Sequence, residues 1–294
     1  MVICLTGAAG FIGSHIADEL IEAGHTVVGL DDLSAGKLSN VHKQEAFFQL
    51  DLSEAEILFQ RYEFDLVIHC AAQTNVRVSI EEPIYDAMEN IFGSLSLLEA
   101  MRKWDVKNII FISTGGAIYD ANSKRPISES SPPKPLSPYG IAKYSIENYL
   151  RYYEVVHSFK PAILRLANVY GARATKGIIN ICINKFKADE KVDIFGGFQT
   201  RDYIHVSDVV SAIQTVIDNN LEGVFNVGTG IETSLVNLVT TIVGDNKKWA
   251  LLLNKQPAIQ GELDYSSLDS RRLQKWGWKH KISLQEGIKL LRNA

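Results

Sequence analysis

The chain has 294 residues, 46% of them hydrophobic and 22% charged, with a formal net charge of −4. That length allows a large core, or one large domain with a smaller one. The charge balance, with no Lys/Arg stripe alternating with aromatics, sets aside a nucleic-acid partner, and no apolar run reaches membrane-spanning length.

The first element is a run of β-formers, Val2 to Leu5, which reads as a core strand and not as a signal peptide. It ends at Thr6 and passes through Gly7, Gly10 and Gly13 into an amphipathic segment opened by Phe11 and Ile12. This spacing predicts a strand, a tight turn and a helix. Gly7 takes backbone angles that a Cβ penalises. Gly10 leaves room for a pyrophosphate, Gly13 lets helix and strand pack closely, and the helix N-terminus offers open N–H groups to phosphates. Residues 26–30 read as the second strand, with Asp31 at its end, 18 residues past Gly13. A carboxylate there accepts hydrogen bonds from both ribose hydroxyls and repels a 2′-phosphate, selecting NAD over NADP. The plainer alternative is that Asp31 caps the next turn.

The loop over 32–40 carries Asp32, Ser34, Gly36 and Lys37 towards the adenosine end of such a cofactor. A third strand over 46–50 leads to Asp51 and Leu52. Asp51 either presents a carboxylate to adenine or caps a helix over 53–61. Residues 66–69 form a fourth strand, and the small residues Ala71 and Ala72, with Gln73, let the backbone pass close to the nicotinamide side. His69 reads as a satisfied core histidine rather than a catalyst. Residues 83–103 read as one long helix, in which Asn90 either bonds backbone at a helix irregularity or faces the cofactor.

A fifth strand over 108–113 ends in Ser113, Thr114, Gly115 and Gly116. A Ser/Pro/Lys-rich surface loop follows to 138, then a helix to about 157 and a sixth strand over 162–166. This alternation predicts an α/β fold, a Rossmann-like doubly wound parallel sheet covered on both faces. Past 166 the rhythm changes to a smaller mixed α/β layer, with a strand over 224–227 that returns to the main sheet. The reading is an NAD-binding domain over 1–166 and a mainly substrate-binding domain over 167–294, with parts around 203–230 returning to the first. Cys4, Cys70 and Cys182 stand singly in apolar patterns. They read as buried small hydrophobes in a reducing compartment, the cytoplasm, with no metal site.

Tyr139 and Lys143 stand four residues apart at the start of a helix, so both project from one face. Such a pair suits proton transfer to or from an alcohol: the ammonium and an oxidised nicotinamide favour phenolate.

Across nearly the whole chain the sequence resembles the extended short-chain dehydrogenase/reductases, and within them the NAD-dependent nucleotide-sugar epimerases of the UDP-glucose 4-epimerase kind. The resemblance rests on TGAAGFIGSH (6–15), DDLSAGK (31–37), HCAAQTNVRVSIEEP (69–83), STGGAIYD (113–120), SPYGIAKYSIE (137–147), LRLANVYG (164–171), TRDYIHVSDVV (200–210) and FNVGTG (225–230). It implies that Tyr139 removes the sugar 4-OH proton while hydride passes from C4 to NAD, and that Lys143 binds the nicotinamide ribose. It implies that Asn168 touches the nucleotide sugar and Arg201 the nucleotide or its diphosphate, and that hydride returns to the other face of a 4-keto sugar.

The chain departs from that pattern at Gly115, at Asp120, where the family has a glycine, and at Ile259. The family's third catalytic group, a Ser or Thr, falls at Gly115, so Thr114, Ser113 or a water takes its role, Thr114 being preferred. The Asp-Glu pair of the sugar 4,6-dehydratases is replaced by Gly116 and Ala117, which disfavours dehydration. The diphosphate-clamping arginine falls at Ile259, leaving Arg201 and a second cation such as Arg173 or Lys176. Ser266 stands where a bulky residue in some relatives restricts the sugar pocket. The resemblance also implies a homodimer built on the helices around 83–103 and 138–157. The alternatives are a net NAD-dependent nucleotide-sugar oxidoreductase and a non-catalytic NAD-binding protein.

Overall fold

The computed structural model describes residues 1–42, 44–120, 122–256 and 265–293. β1 (Val2–Thr6), α1 (Phe11–Glu22), β2 (Thr26–Asp31) and β3 (Ala46–Gln49) follow in order. After them come α2 (Glu56–Phe59), β4 (Leu66–His69), α3 (Val76–Glu81), α4 (Pro83–Ala87), a π-helical turn (Met88–Phe92) and α5 (Gly93–Lys103). β5 (Asn108–Thr114), α6 (Gly115–Ile118), α7 (Pro138–His157) and β6 (Lys160–Leu166) complete the first half. β7 (Asn168–Tyr170), α8 (Ile178–Lys187), β8 (Val192–Phe195), β9 (Thr200–Arg201), β10 (Tyr203–His205), α9 (Val206–Asp218) and β11 (Gly223–Val227) come next. The last elements are β12 (Thr233–Ser234), α10 (Leu235–Val243), α11 (Lys247–Leu251), β13 (Leu253–Gln256), α12 (Arg271–Gln274) and α13 (Leu284–Asn293).

The chain divides into two compact units. The first holds 1–120, 132–165 and 213–225; the second holds 121–131, 166–212 and 226–294. A seven-stranded sheet runs in the order β11-β6-β5-β4-β1-β2-β3, and β1 pairs in parallel with both β2 and β4. The order reverses at β1, which opens a crevice beyond the carboxyl ends of β1 and β4 where ligands bind in such sheets. One hydrophobic core in the first unit joins Cys4, Leu30, Val67 and Phe111 of the strands to Leu97, Met101, Ile146 and Leu150 of α5 and α7. In the second unit Ile183, Phe186, Leu238, Ile242 and Ile288 pack together around β8 and β10.

Two helices and one cysteine differ from the sequence expectation. The helix expected over 53–61 is a 3-10 turn (Leu52–Glu54) followed by the single turn of α2. The helix expected over 83–103 contains a π-helical turn at Met88–Phe92, a local widening of the kind that often marks functional sites. Cys70 lies just past β4 and is half-buried, whereas Cys4 and Cys182 are buried; all three are free thiols.

Candidate active site

The turn after β1 is built by close approach. Gly7 has φ +70, and a Cβ on it would lie 2.7 Å from the Ala71 nitrogen at the end of β4. A Cβ on Gly13 would meet the Gly7 carbonyl oxygen at 2.1 Å, so α1 lies directly against the turn. Thr6 ties the two strand ends together: its hydroxyl lies 2.8 Å from His69 Nδ1 and accepts from the Ala71 N–H at 3.2 Å. No side chain caps α1 at Gly10, so among the described residues the amides of Phe11, Ile12 and Gly13 remain for an anion.

Asp31 is buried at the end of β2. Its Oδ2 accepts from the Ala9 N–H at 3.0 Å and its Oδ1 from the Leu33 N–H at 2.8 Å. It therefore caps the next turn and steadies the glycine turn together, with Gly10 as a further backbone partner and acceptor capacity remaining on the carboxylate. Burial raises its pKa, with Asp32 adding to this and the backbone donors opposing it. The 32–40 loop folds back onto the same turn. Lys37 N–H donates to the Ala9 carbonyl, and a Cβ on Gly36 would lie 2.7 Å from Asp31 Oδ1. The Asp32 carboxylate is occupied locally by the Ser34 N–H and hydroxyl. Asp51 forms a capping box with Glu54 and accepts from Ser53, which is its helix-cap reading. Leu52 packs against Gly93.

His69 is fully hydrogen-bonded in the core. Its Nε2 lies 2.9 Å from Ser94 Oγ, which itself donates to the Asn90 carbonyl at 2.6 Å. The Ser94 proton is thus committed, so Nε2 carries the imidazole proton and Nδ1 accepts from Thr6. Burial, with the Lys143 charge adding, pushes its pKa down to about 3. This is a structural histidine, as its apolar strand suggested.

Asn90, on the π-helical turn, bonds backbone. Its Oδ1 accepts from the Gln73 N–H at 3.0 Å, and its Nδ2 donates to the Gln73 carbonyl at 2.9 Å and to Asp86 Oδ1 at 2.9 Å. The loop carrying Ala71, Ala72 and Gln73 is therefore held from the helix side.

α7 starts at Ser137, whose hydroxyl accepts from the Gly140 N–H, and Pro138 occupies the first helical turn. A Cβ on Gly140 would come within 2.3 Å of the Ala117 carbonyl, so this end of α7 presses on α6. Lys143 is buried, with Nζ donating to the Ile112 carbonyl at 3.0 Å and lying 4.7 Å from the Phe111 ring centre. Burial lowers its pKa to about 8, against the raising effect of Cys70, Asp86 and Glu147. Tyr139 is partly buried; burial first, then the Asp86 charge, raises its phenol pKa. The protein alone therefore keeps this phenol neutral, and a bound cation is what would favour phenolate.

Of the two hydroxyls expected to replace the one missing at Gly115, Ser113 is buried and donates to Glu147 Oε1 at 2.6 Å. Glu147 in turn pairs with Arg165 at 2.5 Å, and Arg165 Nη1 donates to the Tyr119 hydroxyl at 2.8 Å. Thr114, the last residue of β5, is only partly buried, and its hydroxyl has no partner among the described residues. The Glu147–Arg165 pair was not singled out from sequence, although Glu147 sits one helical turn past Lys143. Nothing local in the sequence announces its partner 18 residues on.

In the second unit, Asn168 opens β7 and donates its backbone N–H to the Asp202 carbonyl at 2.9 Å. Arg201 on β9 is partly buried, with Nη1 donating to the Thr200 carbonyl at 2.8 Å. Next to it, Asp202 is buried and accepts from the N–H groups of Thr229, Gly230 and Leu268 and from the Thr229 hydroxyl. Ser266 is buried. Arg173 has φ +65 and Lys176 is exposed. Ile259 lies outside the described residues.

A parallel sheet, a glycine turn at its switch point and a Tyr/Lys pair on the helix after β5 define a dinucleotide-dependent enzyme of the short-chain dehydrogenase class. The chain belongs to the NAD-dependent epimerase/dehydratase family, whose model matches residues 3–228. It is 37% identical to the UDP-glucose 4-epimerase of Mycolicibacterium smegmatis over 97% of this chain and 95% of that protein. Among solved structures it is similar to the UDP-glucose 4-epimerase of Thermotoga maritima, determined with UDP-glucose: 41% identity, 100% of this chain and 98% of that one, TM-score 0.93. The Thermus thermophilus UDP-glucose 4-epimerase complex with NAD gives 35% identity, the same coverage, and TM-score 0.92.

Proposed function

We propose that this protein is an NAD-dependent nucleotide-sugar 4-epimerase, an isomerase, with UDP-glucose and UDP-galactose as its sugar pair. The observation that carries this reading is the Tyr139–Lys143 pair on one face of α7, with Lys143 anchored to β5 through the Ile112 carbonyl. The residues fit the cofactor: the cradle at Gly7, Gly10 and Gly13 closes if a side chain is added, and Asp31 keeps acceptor capacity where ribose hydroxyls would lie. Gly7–Gly13 would take the pyrophosphate, Asp31 the adenosine ribose, with Ser34, Gly36 and Lys37 beside it. Ala71–Gln73 and Lys143 would face the nicotinamide half.

Bound NAD supplies the hydride acceptor at C4 and the donor for its return. The chain's own part is proton handling and orientation. Tyr139 takes the 4-OH proton, and the Lys143 ammonium, with two donors beyond its bond to Ile112, steadies the phenolate. Thr114 donates to the 4-oxygen, because Ser113 is already bound to Glu147. Arg201 binds the diphosphate by charge-assisted bonds and Asn168 the nucleotide sugar, while the small side chain of Ser266 admits an N-acetylated hexose as well. Gly116 and Ala117 provide no acid to expel a 6-hydroxyl, which separates this site from a dehydratase.

The helices around 83–103 and 138–157 support a homodimer. Ile84, Met88 and Phe92 recur every four residues and are 50% exposed or more, and Tyr149 and Tyr152 line an open groove on α7. Such an apolar stripe suits a helix–helix contact with a second copy. The three free cysteines support a reducing compartment such as the cytoplasm. Incubating purified protein with UDP-galactose, without added NAD, and separating the products tests the function. UDP-glucose is the expected product, and no conversion even with NAD supplied refutes the proposal for this substrate pair.

A further inference from the structure

We propose that Asp86 is a positioning residue of the active site: through Gln73 and Asn90 it fixes the Ala71–Gln73 loop, and it sets a buried negative charge near the Tyr139–Lys143 pair. Asp86 sits on α4 and is 1% exposed. Its Oδ1 accepts from Gln73 Nε2 at 2.8 Å and from Asn90 Nδ2 at 2.9 Å. Asn90 holds both backbone groups of Gln73, and Gln73 Oε1 accepts from the Asn75 N–H. One carboxylate oxygen is therefore the common acceptor of a network whose other end is the loop against which the nicotinamide half would lie. The π-helical turn has a role here, because it is the element that carries Asn90.

A buried carboxylate with two amide donors still needs a cation in reach. From α7 the charges that bear on this region are those of Tyr139, Lys143 and Glu147; from the end of β4 come Cys70 and His69. On its own helical run, Glu82 is exposed and Glu89 interacts with Asp51 and Asp32. Burial disfavours ionised Asp86, and the hydrogen bonds from Gln73 and Asn90, followed by the Lys143 charge, favour it. The same Asp86 charge opposes ionisation of Tyr139 and favours the Lys143 ammonium. α4 packs against α7, so this charge offsets that of Lys143 beside the phenol.

The inference rests on the epimerase reading for its kinetic arm only. The test uses the NAD-loaded protein and compares Asp86→Asn, which keeps shape and one acceptor, with Asp86→Ala. Tyr139 is titrated by ultraviolet phenolate absorbance as a difference from Tyr139→Phe, and NAD retention is measured after gel filtration. Asp86→Asn should ionise Tyr139 at lower pH than the parent, and the acid limb of kcat should move the same way with little change in KM. Asp86→Ala should lose NAD more than Asp86→Asn does. An unmoved phenol titration in folded Asp86→Asn, or equal NAD retention by Asp86→Ala and the parent, overturns the proposal. If the parent converts no nucleotide sugar, the epimerase reading fails while the titration still judges Asp86.

Discussion

The two units each bury a carboxylate to 1% exposure, Glu147 in the first and Asp202 in the second, and they satisfy it differently. Glu147 is held by side chains: the Arg165 guanidinium and the Ser113 hydroxyl, with Tyr119 beyond the arginine. Asp202 is held mostly by backbone, three N–H groups from two loops and one hydroxyl. The first arrangement fixes where strand-end side chains point, next to Thr114 and Lys143. The second fixes the path of loops, and so the frame around Arg201 and Ser266. Side-chain networks set chemistry in one unit, and backbone capture sets shape in the other.

The sharpest way to test this division is to remove the reactive group and leave both networks intact. Tyr139→Phe should lower kcat by roughly 10²–10⁴-fold, the usual range for a lost acid–base group, with an unchanged thermal midpoint. A large drop in that midpoint would show that Tyr139 belongs to the structural network instead.

Breaking each carboxylate comes next in size. Glu147→Ala leaves the Arg165 charge buried without its partner and should cost about 3–5 kcal/mol of stability. Asp202→Asn keeps part of the acceptor set and should cost roughly 1–3 kcal/mol. Urea unfolding of both variants measures the difference, and equal losses would erase the contrast between the units.

The two hydroxyls at the end of β5 divide the same way. Thr114→Ala should lower kcat by about 10²-fold or more, as loss of a donor at a developing oxyanion does. Ser113→Ala should instead cost about 1 kcal/mol of stability with kcat nearly unchanged. The opposite pattern in steady-state kinetics would move the catalytic role to Ser113.

The smallest effect at neutral pH belongs to His69. Its folded pKa of about 3 lies below the usual 6.5, so the folded state binds fewer protons between those values. The stabilisation from neutral His69 is therefore complete above about pH 6.5 and is lost progressively as pH falls towards 3. Chemical denaturation at pH 7 and pH 4.5 should show a smaller difference in His69→Gln than in the parent.

Much of the first unit was legible in the sequence because its signals are local. Glycine spacing fixes the turn, since only a residue without Cβ fits 2.7 Å from the Ala71 nitrogen. A strand followed by Asp31 puts a buried carboxylate beside that turn, and a spacing of four puts Tyr139 and Lys143 on one face. The strand read over 224–227 as returning to the main sheet is β11 (Gly223–Val227) at its edge. The choice between Ser113 and Thr114 was not, because it depends on Glu147, 34 residues away, claiming one hydroxyl. Asp51, Asn90 and His69 each had two readings until their partners were in place.

By itself the sequence determined the sheet, the glycine turn, the Asp31 position and the reactive pair, because each follows from spacing within a few residues. Only the tertiary structure decided which polar side chains are free to act. Whether Ser113, His69, Asn90 or Asp86 faces a substrate or a neighbour depends on groups brought together from distant strands and helices. Most buried donors and acceptors find such a partner, and which ones do is settled by the packing of distant segments.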